Sequence, residues 1–279
     1  MTTTVAPPAT PFLERLAAAV RRNDSLLCIG LDPEVERLPA HLRALPPAEA
    51  ILAFNREIIA ATADLVACYK PNLAFYEALG PAGLEALRQT LALVPPEIMT
   101  LGDAKRGDIG HTTRLYAQAL FDVYGFDAVT ANPYVGRDGL APLLDRPERG
   151  VFILCRTSNP GAAEITDLPV QGRPLFLVIA ERVRAWNHQR NTGLVVGATY
   201  PRELAQVREL CPELPILLPG IGAQQGSLEE AVQAGLDGER AGLLVVAARQ
   251  VLYASSAEDF GAAARRVAQD LRQRINRLR

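Results

Sequence analysis

Residues 97–113 read EIMTLGDAKRGDIGHTT, an apolar run over 98–101 that passes within a few positions into three opposed charges, Asp103, Lys105 and Asp108. Residues two apart on a strand point to the same side, so Asp103 and Lys105 are expected to project together from a strand end, with Asp108 in the loop beyond. The same change from apolar to polar or glycine-rich recurs along the chain. It is seen in SLLCIGLDP (25–33), DLVACYKPN (64–72), DAVTANPY (127–134), GVFILCRTS (150–158), GLVVGAT (193–199), PILLPGIG (215–222) and GLLVVAARQ (242–250). Between these eight runs lie segments whose apolar residues recur at helical spacing, such as AEAILAFNREIIAATA (48–63) and PRELAQVRELC (201–211), and a long one, 257–278, closes the chain.

Eight strand-helix units in about 250 residues predict an α/β fold, a single-domain (β/α)8 TIM barrel over 12–279 behind a flexible tail, 1–11. An open doubly wound sheet is the competing arrangement, but the first strand-helix turn carries no GxGxxG. In a barrel the C-terminal strand ends converge on one rim. There they would gather Asp32, Lys70, Asp103 with Lys105, Asn132, the 156–159 segment, Thr199, Gly220 with Gly222, and Arg249. The connection 159–174 is long and rich in Gly and Pro, which suits either a lid over that rim or a surface excursion.

The formal net charge is −2, with both signs interspersed, so there is no electrostatic footprint for nucleic acid or an anionic membrane. The longest clear apolar run, AGLLVVAA (241–248), is far short of a membrane span. The start, MTTTVAPPATP, lacks a basic region followed by an apolar one, and a cytoplasmic location is expected. Cys28, Cys68 and Cys155 lie in separate strand runs without CxxC spacing, as buried reduced thiols would. The three histidines, His41, His111 and His188, have neither zinc-site spacing nor an obvious nucleophile beside them.

A lone DxK can be a salt-bridged strand end, but Asp32 and Lys70 at the same rim make a four-charge array that is costly to bury without a functional reason. A lysine among carboxylates stays protonated and suits proton transfer to a carbon that becomes negative. It makes a poor imine-forming lysine, which needs a depressed pKa. A divalent-metal site from Asp32, Asp103 and Asp108 stays open, although Lys70 and Lys105 already supply positive charge. Two later segments suit a phosphate: the glycine-rich turn PGIGAQQG (219–226) before a helix, and Arg249 at the neighbouring strand end.

Seven motifs occur in order: GLDP (30–33), YKPN (69–72), DAKRGDIGHT (103–112), ANPYVG (131–136), RTSNPGA (156–162), PGIGAQQG (219–226) and ARQVLYAS (248–255). With them the chain, from about residue 24 to 256, resembles the orotidine 5'-phosphate decarboxylases, specifically their longer bacterial branch, type 2. The resemblance implies conversion of orotidine 5'-monophosphate to UMP and carbon dioxide without metal or organic cofactor, by a homodimer with shared active sites. It implies Lys105 as proton donor to C6, Asp103 beside the departing carboxylate, and Lys70 bridging the carboxylates and the ribose. Asp108 and Thr112 would reach the neighbouring subunit's site. Asp32 would hold a ribose hydroxyl, Ser158 the pyrimidine edge, and Gln224 with Arg249 the phosphate. His111 stands where a small residue is expected, and the alanines before Arg249 where polar residues are common. Two alternatives share the fold: a metal-dependent sugar-phosphate decarboxylase or lyase similar to 3-keto-gulonate 6-phosphate decarboxylase, and a catalytically silent nucleotide-binding barrel. Lys70 stands where the former would offer a carboxylate to its metal.

Overall fold

The computed structural model describes residues 10–221 and 227–279, so most of the predicted N-terminal tail lies outside the described residues. Each of the eight apolar runs forms a strand: β1 (Leu27–Leu31), β2 (Cys68–Pro71), β3 (Met99–Arg106), β4 (Ala128–Ala131), β5 (Gly150–Arg156), β6 (Thr192–Val196), β7 (Ile216–Leu218) and β8 (Leu243–Ala247). They pair in parallel in chain order, and β8 closes on β1 with Ile29 opposite Ala247. The molecule is the predicted (β/α)8 barrel. The apolar residues divide as the pleat requires: Ile29, Val129, Ile153 and Val245 face the surrounding helices, while Cys28, Cys68, Met99, Leu101, Phe152 and Leu244 fill the barrel. All four cysteines are free and buried.

The helices Pro47–Thr62, Gly80–Leu93, Leu175–Trp186, Pro201–Leu210, Leu228–Gly235 and Phe260–Asn276 fall within a few residues of the segments with helical spacing. A further helix, Phe12–Asn23, seals the barrel at the end opposite the charged rim. Phe12 packs edge-on against Phe152 with ring centroids 6.1 Å apart, and its backbone N–H donates to Pro147 O at 2.9 Å. Gly150, the first residue of β5, makes this possible, because a Cβ there would stand 2.4 Å from the Phe12 ring. The connection 159–174 is no open loop. It contains a turn at Pro160–Ala162, a short helix at Ala163–Thr166 and an antiparallel ribbon pairing Pro169–Val170 with Arg173–Pro174.

Because Phe12 is the stopper of the barrel floor and is 1% exposed, Phe12→Ala should destabilise the chain by about 3–5 kcal/mol. Denaturant unfolding measures this, and a loss below about 1 kcal/mol would show that the floor closes without the ring.

Candidate active site

Three adjacent strands deliver the charged array. Asp32 lies just beyond β1, Lys70 is in β2, and Asp103 and Lys105 are in β3. Lys70 Nζ donates to Asp103 Oδ2 at 2.9 Å and stands 3.9 Å from Asp32 Oδ1. Lys105 Nζ donates to Asp103 Oδ1 at 2.6 Å. The side chains thus form a chain of alternating sign, Asp32, Lys70, Asp103, Lys105. Lys70 is buried, whereas the Lys105 side chain is 47% exposed.

Asp103 and Lys105 meet as the two-residue spacing predicts, but not through regular strand geometry. The ladder between β3 and β4 shifts register between Gly102 and Arg106, and Lys105 has φ +50°, a left-handed conformation costing about 1–2 kcal/mol in a residue with a side chain. Thr130 of β4 supports this irregular stretch. Its hydroxyl accepts from the Lys105 N–H at 3.0 Å and donates to Asp103 Oδ1 at 2.9 Å, using its one donor and an acceptor lone pair together. Sequence reasoning passed over Thr130, although it is the polar residue two before Asn132 in an otherwise apolar run. It passed over Asn72 as well, whose backbone N–H donates to Asp32 Oδ1 at 3.2 Å.

The electrostatics follow from burial and these contacts. Burial opposes ionisation of Asp103, but Lys70 and Lys105 together outweigh it and hold the carboxyl well below the usual carboxylate range. Burial also disfavours the Lys70 ammonium, yet Asp32 and Asp103 reverse the balance and raise its pKa above the ordinary lysine value. Asp32 moves upward, because burial exceeds the attraction of Lys70 and Asp103 adds repulsion. The array therefore keeps Lys70 charged and Asp103 ionised.

Asp32, Lys70 and Asp103 line a cavity of about 340 Å³ together with Asn72, Phe75, Gly220 and Arg249. Arg249 is not in the last strand, as its motif suggested, but opens the short helix Arg249–Leu252 just past it. Lys105 lies outside this lining and meets it through Asp103. Ser158 stands apart, two residues past the end of β5, where its carbonyl accepts from Thr199 Oγ1 at 3.1 Å. Asp108 and Thr112 lie beyond β3, and the Asp108 carboxylate accepts from the Ile109 N–H at 2.7 Å. Among the described residues no cation is within 4 Å of the Asp108 carboxylate. Gln224 lies outside the described residues.

Comparison with known proteins decides which barrel this is. The family model described as orotidine 5'-phosphate decarboxylase / HUMPS matches residues 25–267. The chain belongs to this family. Among curated relatives, an orotidine 5'-phosphate decarboxylase of Thermomicrobium roseum is 55% identical over 271 residues, with 96% of each chain covered. Among solved structures, the Leishmania donovani OMP decarboxylase superposes with TM-score 0.83 at 38% identity, covering 95% of this chain and 99% of that one. The Leishmania donovani UMP synthase gives TM-score 0.88 at 39% identity over 97% of this chain, which spans 57% of that longer protein. In this member of the decarboxylase family, then, the four charges named from sequence converge at the barrel mouth.

The depressed pKa of Asp103 has a consequence for stability. Between its folded value and the ordinary value near 3.9 the unfolded chain binds the extra proton, so Asp103 stabilises the fold above about pH 4 and that contribution is lost as the pH falls. Unfolding free energy measured from pH 6 to pH 2 should fall more steeply for the native chain than for Asp103→Asn. Parallel curves would mean that the carboxylate is not held ionised by its lysines.

Proposed function

We propose that this chain decarboxylates orotidine 5'-monophosphate to UMP and carbon dioxide, a step of pyrimidine synthesis, with Lys105 as the proton donor. The observation that carries the reading is the contact chain Asp32, Lys70, Asp103, Lys105 at the mouth of a barrel of this family. Loss of carbon dioxide breaks the bond from C6 to the carboxyl carbon and leaves the electron pair on C6, in the ring plane, where the ring carbonyls cannot delocalise it. An ammonium fixed beside C6 stabilises that charge and then delivers its proton, and the resulting amine is reprotonated from solvent. Asp103, flanked by the substrate carboxylate, aims the Lys105 ammonium. Asp32 and Lys70 take the ribose hydroxyls, Ser158 the pyrimidine edge, and Arg249 with Gln224 the phosphate.

The donor set favours this over the metal-dependent lyase chemistry of related barrels. Asp32 and Asp103 both face the Lys70 ammonium, which stands where a cation held between them would sit. Lys70 would repel such an ion. The four free, buried cysteines suit a reducing compartment, and we assign the reaction to the cytoplasm.

Purified protein should deplete the ultraviolet absorbance of orotidine 5'-monophosphate in excess chelator, and Lys105→Ala should lower kcat by at least about a thousandfold. Undiminished turnover in that variant would remove Lys105 from the chemistry.

The enzyme is further proposed to act as a homodimer whose pockets are each completed by Asp108 and Thr112 of the partner. In support, Asp108 has no cation of its own chain within ion-pair reach among the described residues, and Ile109 beside it and Leu115 on the following helix are exposed apolar residues. Mixing Asp108→Asn with Lys105→Ala, each inactive alone, should restore roughly a quarter of native activity, because random pairing leaves one intact pocket in half of the dimers. No recovery despite demonstrated subunit exchange would argue for self-contained pockets.

A further inference from the structure

Arg156 ends β5 two residues before Ser158 and is 2% exposed. It is a cation at the rim whose guanidinium is held within the chain on one face and at both terminal nitrogens, while its buried Nε has no partner among the described residues. One face lies 3.6 Å from the centroid of the Tyr200 ring, Nη2 donates to Asp167 Oδ2 at 2.8 Å, and Nη1 donates to Thr157 O at 3.4 Å. These contacts tie together the end of β5, the excursion 159–174 through Asp167, and the turn after β6 through Tyr200.

The backbone of Ser158 is gripped by the same neighbourhood. Gly197 N donates to Arg156 O at 2.8 Å, and Thr199 Oγ1 donates to Ser158 O. Gly197 approaches so closely that a Cβ there would stand 2.5 Å from Ser158 Cα. The strands fix Ser158 from one side, and the guanidinium fixes the outgoing chain from the other. An Arg fork bonded to a carboxylate and stacked on an aromatic ring has little rotational freedom left, which is what a strut requires.

We propose that Arg156, with Asp167 and Tyr200, is a positioning residue that sets the place of Ser158 and of the 159–174 excursion, and so governs how the site discriminates the pyrimidine of its nucleotide. This rests on the reading of Ser158 as the pyrimidine contact. Asp167 and Tyr200 are only partly buried, so their substitution tests the strut without emptying the core.

The experiment measures kcat, KM and melting temperature, with inhibition constants for UMP and for ribose 5-phosphate, which keeps the sugar phosphate and lacks the base. The chains compared are the native one, Ser158→Ala, Asp167→Asn, Tyr200→Leu and the double variant Ser158→Ala/Asp167→Asn. Asp167→Asn and Tyr200→Leu should each weaken UMP about fivefold or more and leave ribose 5-phosphate within about twofold, with KM changed more than kcat. In the double variant Asp167→Asn should add little to Ser158→Ala, since both act through one contact. If Ser158→Ala weakens UMP but Asp167→Asn and Tyr200→Leu do not, the strut is overturned and the role of Ser158 stands. Equal weakening of both ligands with a lowered melting temperature would mark a merely structural ion pair and also overturn it. If Ser158→Ala leaves UMP unchanged, the reading of Ser158 fails and the positioning role falls with it.

Discussion

The Asp103 carboxylate is shared by two ammonium groups, and the arrangement of the rim depends on that sharing. Its two contacts are unequal in a way that distance alone would misjudge. Lys105 is nearer, at 2.6 Å, but its side chain is half exposed, so solvent and salt screen the attraction. Lys70, at 2.9 Å, is enclosed, and at an effective dielectric near 20 a pair at that separation attracts by about 6 kcal/mol. Lys70 is therefore the less screened of the two ammonium groups that together keep Asp103 ionised inside the barrel mouth. Asp103 in turn gives Lys70 a closer counter-charge than Asp32, 3.9 Å away. Neither charge could be buried alone without a penalty of several kcal/mol.

The barrel supplies this pairing by construction. Neighbouring parallel strands run about 4.8 Å apart, so side chains of one facing from β1, β2 and β3 meet at ion-pair distance if they lie at the same height. Lys70 lies opposite Gly30, and an isolated bridge pairs Asn72 with Asp103, which brings the three strand ends level. Regular geometry fails at Lys105, as it does again between β5 and β6 near Arg156. The left-handed backbone at Lys105 is held by the Thr130 hydroxyl, so a strained residue is fixed by a group that also bonds its carboxylate partner. At the far end Phe12 closes the floor over Gly150, which leaves the mouth as the opening.

The fold was legible because each strand declared itself twice, by an apolar run and by its polar end, and because the runs numbered eight. The members of the array on β1 to β3 were legible for the same reason, since Asp32, Lys70, Asp103 and Lys105 are charges at strand ends. What escaped is what has no periodic signature. Thr130 looks like any strand threonine until the bulge in β3 turns the Lys105 N–H toward it. Arg156 was visible as a polar strand end, but its engagement with Asp167 and Tyr200 joins residues 11 and 44 positions away, set by how the excursion folds back. The helix Phe12–Asn23 lies before the first strand and outside the alternation that revealed the rest.

For the proposed reaction, magnitudes separate the roles of the charges. Repulsion between Asp103 and a substrate carboxylate about 4 Å away is worth on the order of 4 kcal/mol at an effective dielectric near 20, or about three decades of rate. Very slow uncatalysed reactions require roughly 20 kcal/mol or more, so repulsion is a minor share. The larger share must come from stabilising the carbanion, which demands an ammonium that is charged, fixed and close before the bond breaks. Asp103 holds the Lys105 ammonium, Thr130 holds the Lys105 backbone and the Asp103 carboxylate, and Lys70 helps to keep Asp103 ionised. A binding cavity that runs from the array to Arg249, just past the neighbouring β8, lets interactions with the remote phosphate contribute to ordering the array, without requiring any of that energy at the reacting carbon.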